Sequence, residues 1–205
     1  MPFIAFGTWS WGAGTIGGDQ IFGNHLHAEN LKPVFDAAIK AGFNIGDTAA
    51  VYGDGASETI LGKFVRAHSR AEMIISTKFS PMIAEDCDNP VEKMLNASLE
   101  RIGTDDIDVY WIHNATHAPK WVAFLIPLLK SGRIKSVGVS NHHLQQIKEA
   151  NEILTKYGFS LSAVQNHYSL LYPLSEETGI LEYCKEKNMT FFAYMVLEQG
   201  ALSGK

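Results

Sequence analysis

The 205 residues are 46% hydrophobic and 19% charged, the composition of a globular chain with one sizeable core, short for two domains. A net charge of −5 with no Lys/Arg cluster excludes a broad nucleic-acid footprint. No apolar run is long enough to span a membrane, and the first residues lack the basic-then-apolar pattern of a signal peptide.

From residue 29 onward, helical periodicity alternates with short β-rich runs. The segment "ENLKPVFDAAIKAG" puts Leu31, Val34, Phe35, Ala38 and Ile39 on one helical face, with Gly42 at the stop. The run "GFNIGDT" then reads as a strand. "SETILGKFVRA" is helical, with Ser57 as the expected N-cap and Ile60, Leu61, Phe64 and Val65 on its stripe. After the strand "EMIISTKF", Asn89 and Pro90 open the helix "NPVEKMLNASLERIG", which Gly103 closes. The strand "DIDVYWIH" precedes "KWVAFLIPLLKSG", a helix expected to kink near Pro127. "RIKSVGVSN" (strand), "HHLQQIKEANEILTKYG" (helix), "LSAVQN" (strand), "EETGILEYCKEKN" (helix) and "TFFAY" (strand) complete the order.

These six strands are near-continuous apolar runs, as buried parallel strands are. Strand and helix alternate throughout, which predicts a parallel α/β sheet with right-handed crossovers. Nearly every strand ends in a polar or ionisable residue: Asp47, Lys78, His113, Ser140 with Asn141, Gln165 with Asn166, and Tyr194. Shared polar strand ends favour a (β/α) barrel, in which all the carboxyl ends meet at one rim, over an open doubly wound sheet. Residues 1–205 are read as a single domain.

Gly12 to Gly17 matches G-x-G-x-x-G, but "GDQIFGNH" is a poor helix opening, so the segment is expected to be a loop and not a dinucleotide fingerprint. His25 with His27 and His142 with His143 lack a third ligand at a convincing spacing, so no metal site is expected. Trp9, Trp11 and Trp111 suit a pocket wall or packing equally well, and Tyr168 and Tyr172 are expected to pack. Two distant cysteines, Cys87 and Cys184, suit free thiols in a reducing cytoplasm.

Asp47, Tyr52, Lys78 and His113 together suit the reduction of a carbonyl by hydride. Negative charge then builds on oxygen, and a proton must be delivered. Tyr52 can donate it, but a free phenol titrates near ~10 and is a reluctant acid. The Lys78 ammonium is expected to lower that value, with Asp47 holding the lysine and His113 orienting the carbonyl oxygen. Singly, each residue has a structural explanation. Their order at consecutive strand ends favours the chemical one.

The segments "GDTAAVYGDGASE", "ISTKF", "SLERIGTDDIDVYWIH", "SGRIKSVGVSN", "AVQNHYSLLYP" and "LEQGALSGK" resemble the aldo-keto reductase family, in family order and over essentially the whole chain. The resemblance implies a TIM-type (β/α)8 barrel, of which about six strand–helix units are present. It also implies a catalytic set of Asp47, Tyr52, Lys78 and His113, with NADPH as the usual reductant and NADH not excluded. Ser140, Asn141 and Gln165 would then hold the nicotinamide carboxamide and Tyr194 would stack on the ring. Gly7, Thr8, Trp9, Asp47 and Leu197 would border the cofactor. The implied substrate is a small aldehyde or ketone. A non-catalytic or vestigial cofactor-binding or interaction protein of the same fold is the alternative. Where the family commonly continues its sixth strand with Ser-Pro-Leu-Gly, this chain has Met195, Val196, Leu197 and Glu198, and Glu198 brings a negative charge toward the expected cofactor. With two strands unaccounted for, the chain is expected to be part of a longer product, to associate through exposed sheet edges, and to bind cofactor and reduce carbonyls poorly on its own.

Overall fold

The computed structural model describes residues 4–204. Seven parallel strands lie in sequential order: β1 (Ala5–Gly7), β2 (Ile45–Asp47), β3 (Ile74–Phe79), β4 (Ile107–Ile112), β5 (Ile134–Ser140), β6 (Ala163–His167) and β7 (Thr190–Tyr194). Six of these carry a sequence signature; β1 does not, because three residues running into Thr8 and Trp9 have no measurable period.

The crossovers are helical: α1 (Gly18–Phe22) and α2 (Ala28–Lys40) before β2, then α3 (Ala56–Val65), α4 (Pro90–Ile102), α5 (Ala118–Lys130) and α6 (Leu144–Thr155). The expected helix before β7 is divided into α7 (Leu174–Glu177) and α8 (Ile180–Glu186), because Gly179 sits between them at φ 75°. The helix α5 is a single element that continues past Pro127.

Several ends follow the expected chemistry. The Asn89 side chain accepts from the Glu92 N–H at the start of α4, and Gly103 closes that helix at φ 76°. Ser57 does not cap α3, which starts from Gly55. It lies fully buried inside the helix, where its hydroxyl donates to the Thr8 carbonyl at 2.8 Å. It therefore ties α3 to the loop after β1.

Period-two alternation separates two cores. Ile75, Phe79, Tyr110, Ile112, Val137, Val139 and Val164 pack with the helices in the main cluster, while Val109, Trp111, Ala163 and Phe192 form a second cluster on the other face. Register aligns the second face into layers: Lys78 beside Trp111, Trp111 beside Gly138, Gly138 beside Ala163, and Ser140 beside Gln165. The sheet is strongly curled, since the Gln165 Nε2 on β6 donates to the Asp47 Oδ2 on β2 at 3.1 Å. In a flat sheet, four strand spacings would separate them by roughly 19 Å. The second cluster is therefore the interior of a partial barrel, and the polar strand ends meet above it.

Candidate active site

Asp47 ends β2, and Lys78 lies near the end of β3, fully buried. The Lys78 Nζ donates to Asp47 Oδ2 at 2.8 Å and to the Thr48 carbonyl at 2.7 Å. The chain then rises through Ala49, Ala50 and Val51, all buried, into a tight turn at Tyr52–Gly55. Here Gly53 and Asp54 both take left-handed backbone angles, with φ 55° and 54°.

That turn explains the glycine run. A Cβ on Gly14 would lie 2.4 Å from the Gly53 carbonyl oxygen, so the loop after β1 approaches the Tyr52 turn backbone to backbone. The Thr15 N–H and hydroxyl both donate to the Asp54 carboxylate, at 2.8 and 2.5 Å. The run is a clamp on the tyrosine turn. It was expected to be all loop, and the short helix α1 at its end is a correction to that expectation.

A second support lay unread in the sequence. Glu58 is completely buried, accepting from Thr77 Oγ1 at 2.5 Å and from Arg101 Nε at 2.7 Å. It ties α3 to β3 and α4 directly beneath the tyrosine turn. Its signal was a carboxylate three residues before Leu61, on the apolar face of the helix.

Tyr52 faces His113, with ring centroids 5.6 Å apart and edge-on, and its ring centroid is 5.5 Å from the Lys78 nitrogen. His113 follows β4, and its Nδ1 is 2.9 Å from the Ser80 hydroxyl. When Ser80 donates, the proton of the neutral ring sits on Nε2. Asn141, at φ 61°, turns its amide back to donate to the His113 carbonyl at 2.9 Å, and it accepts from the Tyr194 hydroxyl at 2.5 Å.

The electrostatics differ from the sequence-based expectation. Burial, and after it the Asp47 charge, pushes the Tyr52 phenol well above its ordinary value and does not lower it. The physical reason is burial: the phenol is almost enclosed beside the Asp47 carboxylate, and the paired Lys78 ammonium does not reverse the shift. Burial also lowers the Lys78 ammonium, against the opposing pull of Asp47. His113 falls to about 3 through burial, with Lys78 adding to the effect. The resting site therefore holds a neutral phenol and a neutral imidazole.

These groups open on a cavity of about 600 Å³. Gly7, Thr8, Trp9, Asp47, Tyr52, His113, Ser140, Asn141, Gln165 and Tyr194 line it, as the sequence reading grouped them. Lys78 lies behind Asp47. Ile16, Phe22 and Met82 also form its wall without a signal in the sequence. They sit on a loop, a five-residue helix and a three-residue 3-10 helix, where no periodicity marks them.

The profile of the aldo/keto reductase family matches residues 3–205. The chain belongs to the aldo/keto reductase family. It is 30% identical to the chloroplastic pyridoxal reductase of Arabidopsis thaliana over 98% of this chain and 58% of that protein. It is 28% identical to the NADH-specific methylglyoxal reductase of Escherichia coli over 98% of this chain and 65% of that one. Among solved structures, an aldo-keto reductase of Klebsiella pneumoniae in complex with NADPH aligns at a TM-score of 0.78 and 25% identity, over 97% of this chain and 65% of the other. The chain thus spans less than two-thirds of the length of each.

Further residues clarify the rim. Leu197, expected beside the cofactor, is 56% exposed and does not line the cavity, whereas Met195 does. Glu198 is turned away from the cavity. Its carboxylate accepts from the Ser169 hydroxyl and pairs with His167 Nε2 at 2.8 Å. His167 in turn stacks between Tyr172 and Tyr194, at 4.2 and 5.5 Å, so the ring of Tyr194 is braced from behind. Of the three tryptophans, Trp9 lines the cavity, Trp11 packs in the outer core and Trp111 fills the barrel interior. Among the described residues, no three His, Cys, Asp or Glu side chains gather as a metal site.

The rim also fits the nicotinamide end of a dinucleotide. Hydroxyl and amide groups of Ser140, Asn141 and Gln165 stand together on the cavity wall, able to both donate to and accept from a carboxamide. Gly7 contributes open space, since a Cβ there would meet no protein atom within 4 Å.

Proposed function

We propose that this chain carries the reducing site of an NAD(P)H-dependent carbonyl reductase that converts aldehydes or ketones to alcohols. The observation carrying this reading is the convergence of Tyr52, His113 and the Asp47–Lys78 pair with Ser140, Asn141, Gln165 and Tyr194 on one cavity. A reduced nicotinamide bound there supplies the hydride. Ser140, Asn141 and Gln165 hold its carboxamide, Tyr194 offers an aromatic face, and Gly7, Thr8, Trp9 and Asp47 border it. Among the described residues, none that lines the cavity is a lysine or arginine, so its recognition falls on the nicotinamide end, a requirement that NADPH and NADH both meet.

Tyr52 is the proton donor. Its raised pKa keeps it protonated, and this does not prevent donation, because the alkoxide formed on the substrate is a far stronger base than a phenolate. Lys78 acts after the transfer, balancing the new phenolate. Asp47 keeps the lysine in place. His113 donates from Nε2 to the carbonyl oxygen and orients it. Trp9, Ile16, Phe22 and Met82 give the substrate's carbon skeleton an apolar wall.

Cys87 and Cys184 are both free, and among the described residues no helix is long and apolar enough to cross a membrane, so we place the chain in the reducing cytoplasm.

The test is loss of the reduced-nicotinamide absorbance on adding a panel of aldehydes to the purified chain, alongside cofactor binding followed by tryptophan quenching. Binding of NADPH or NADH with aldehyde-dependent oxidation supports the reading. Saturable binding with no oxidation of any aldehyde or ketone overturns it in favour of a binding protein.

A further inference from the structure

Below the Lys78–Asp47 pair, the fully buried indole of Trp111 fills the barrel interior. Three strands cooperate to seat it. Trp111 on β4 is in register with Lys78 on β3 and with Gly138 on β5, and a Cβ on Gly138 would come within 2.1 Å of the indole. The ring occupies the space that Gly138 leaves open, and Phe192 on β7 meets it edge-on at 5.2 Å. Packing alone would explain a large apolar residue here. It does not explain where the single polar atom of the indole goes.

The Trp111 Nε1–H donates to Ser76 Oγ at 2.6 Å, and the Ser76 hydroxyl donates to Asp47 Oδ1 at 2.5 Å. The direction of this chain is fixed chemically. An indole N–H can only donate and a carboxylate can only accept, so the hydroxyl between them has one orientation that satisfies both. With Oδ1 held from below, Oδ2 is left to accept from Lys78 Nζ at 2.8 Å and Gln165 Nε2 at 3.1 Å. One carboxylate thereby joins the barrel interior, the lysine and the carboxamide-binding side chain.

We infer that Trp111 and Ser76 are positioning residues: through a one-way N–H, O–H, carboxylate chain they set the orientation of Asp47, and with it the places of the Lys78 ammonium and the Gln165 amide. The inference rests on the roles proposed above for Asp47 and Lys78.

Its first test needs no turnover. In the 15N-labelled chain, the Trp111 indole resonance is assigned by its loss in Trp111→Phe. Asp47→Asn is expected to move that resonance, because weakening the acceptor weakens the bond below it. Ser76→Ala is expected to move it further and speed its exchange with deuterated solvent, and Ser76→Thr, which keeps the hydroxyl, to restore it. The second test is kinetic. Trp111→Phe and Ser76→Ala should each lower kcat by roughly 10- to 100-fold, the usual scale for a hydrogen bond to a charged group, with KM little changed. The double variant should be no worse than either single one. An indole resonance indifferent to Asp47→Asn, or additive kinetic losses, overturns the inference. If the unaltered chain reduces no carbonyl, the catalytic reading fails, while the resonance experiment still decides whether Trp111 senses Asp47. If Ser76→Ala does not fold, Asp47→Asn and Trp111→Phe decide it.

Discussion

Tyr52 keeps its proton because it is buried beside a carboxylate, and the pKa of Lys78 is lowered by its own burial against the opposing pull of that same carboxylate. Two predictions follow from these opposed shifts. The charged form of Lys78 is the one that supports a phenolate, and its folded pKa lies below the ordinary lysine value of 10.5. Reduction should therefore fall as pH rises through that depressed value, giving a basic limb below 10.5 in the pH–rate profile; a limb at or above 10.5 contradicts this. Tyr52, shifted upward, cannot supply that limb. Lys78→Met strands Asp47 without its cation, and denaturant unfolding should register a loss of about 3–5 kcal/mol. The four side chains were legible in the sequence because each follows or ends a strand. The direction of the Tyr52 shift was not, because it depends on burial and on the nearby Asp47 charge.

Among the elements, the strands and helices with a long apolar stripe were readable, and those whose reason for being is a close approach were not. The strand β1 is three residues long, and the glycine run before α1 makes sense only once the Tyr52 turn is packed against it. The same holds for Ser57, which looked like a cap and instead joins α3 to Thr8. Two substitutions separate the readable from the hidden. Asn89→Ala removes a cap seen in the sequence and should cost about 1 kcal/mol in thermal or denaturant unfolding. Gly138→Ala changes a strand residue that nothing in the sequence marks. Because its Cβ would lie 2.1 Å from the indole of Trp111, it should cost about 1–3 kcal/mol through overpacking. A neutral Gly138→Ala would mean that the indole has room to move.

For the whole molecule, curling of the sheet brings β2 and β6 into direct contact and turns a row of strand ends into one site. The barrel-type fold was legible from those polar ends, although the number of strands was not. Burying that rim has an acid cost. His113 and His142 are held down to about 3 and about 4 by burial, whereas unfolded histidines titrate near 6.5. Between these values the unfolded chain binds more protons than the folded one, so stability falls as pH drops below 6.5. His142→Asn should blunt that loss, by ~3 kcal/mol near pH 4, in denaturation measured across pH. Equal acid sensitivity in both proteins would show that His142 is not held neutral.

The most direct measurement is single-turnover reduction of an aldehyde by the purified chain, saturated with reduced cofactor, compared between unaltered protein and Tyr52→Phe. Cofactor binding should be undiminished in the variant and the reduction rate lower by ~10²–10⁴-fold, the contribution of a positioned acid. A Tyr52→Phe protein that binds cofactor normally and reduces the aldehyde at the original rate would contradict it.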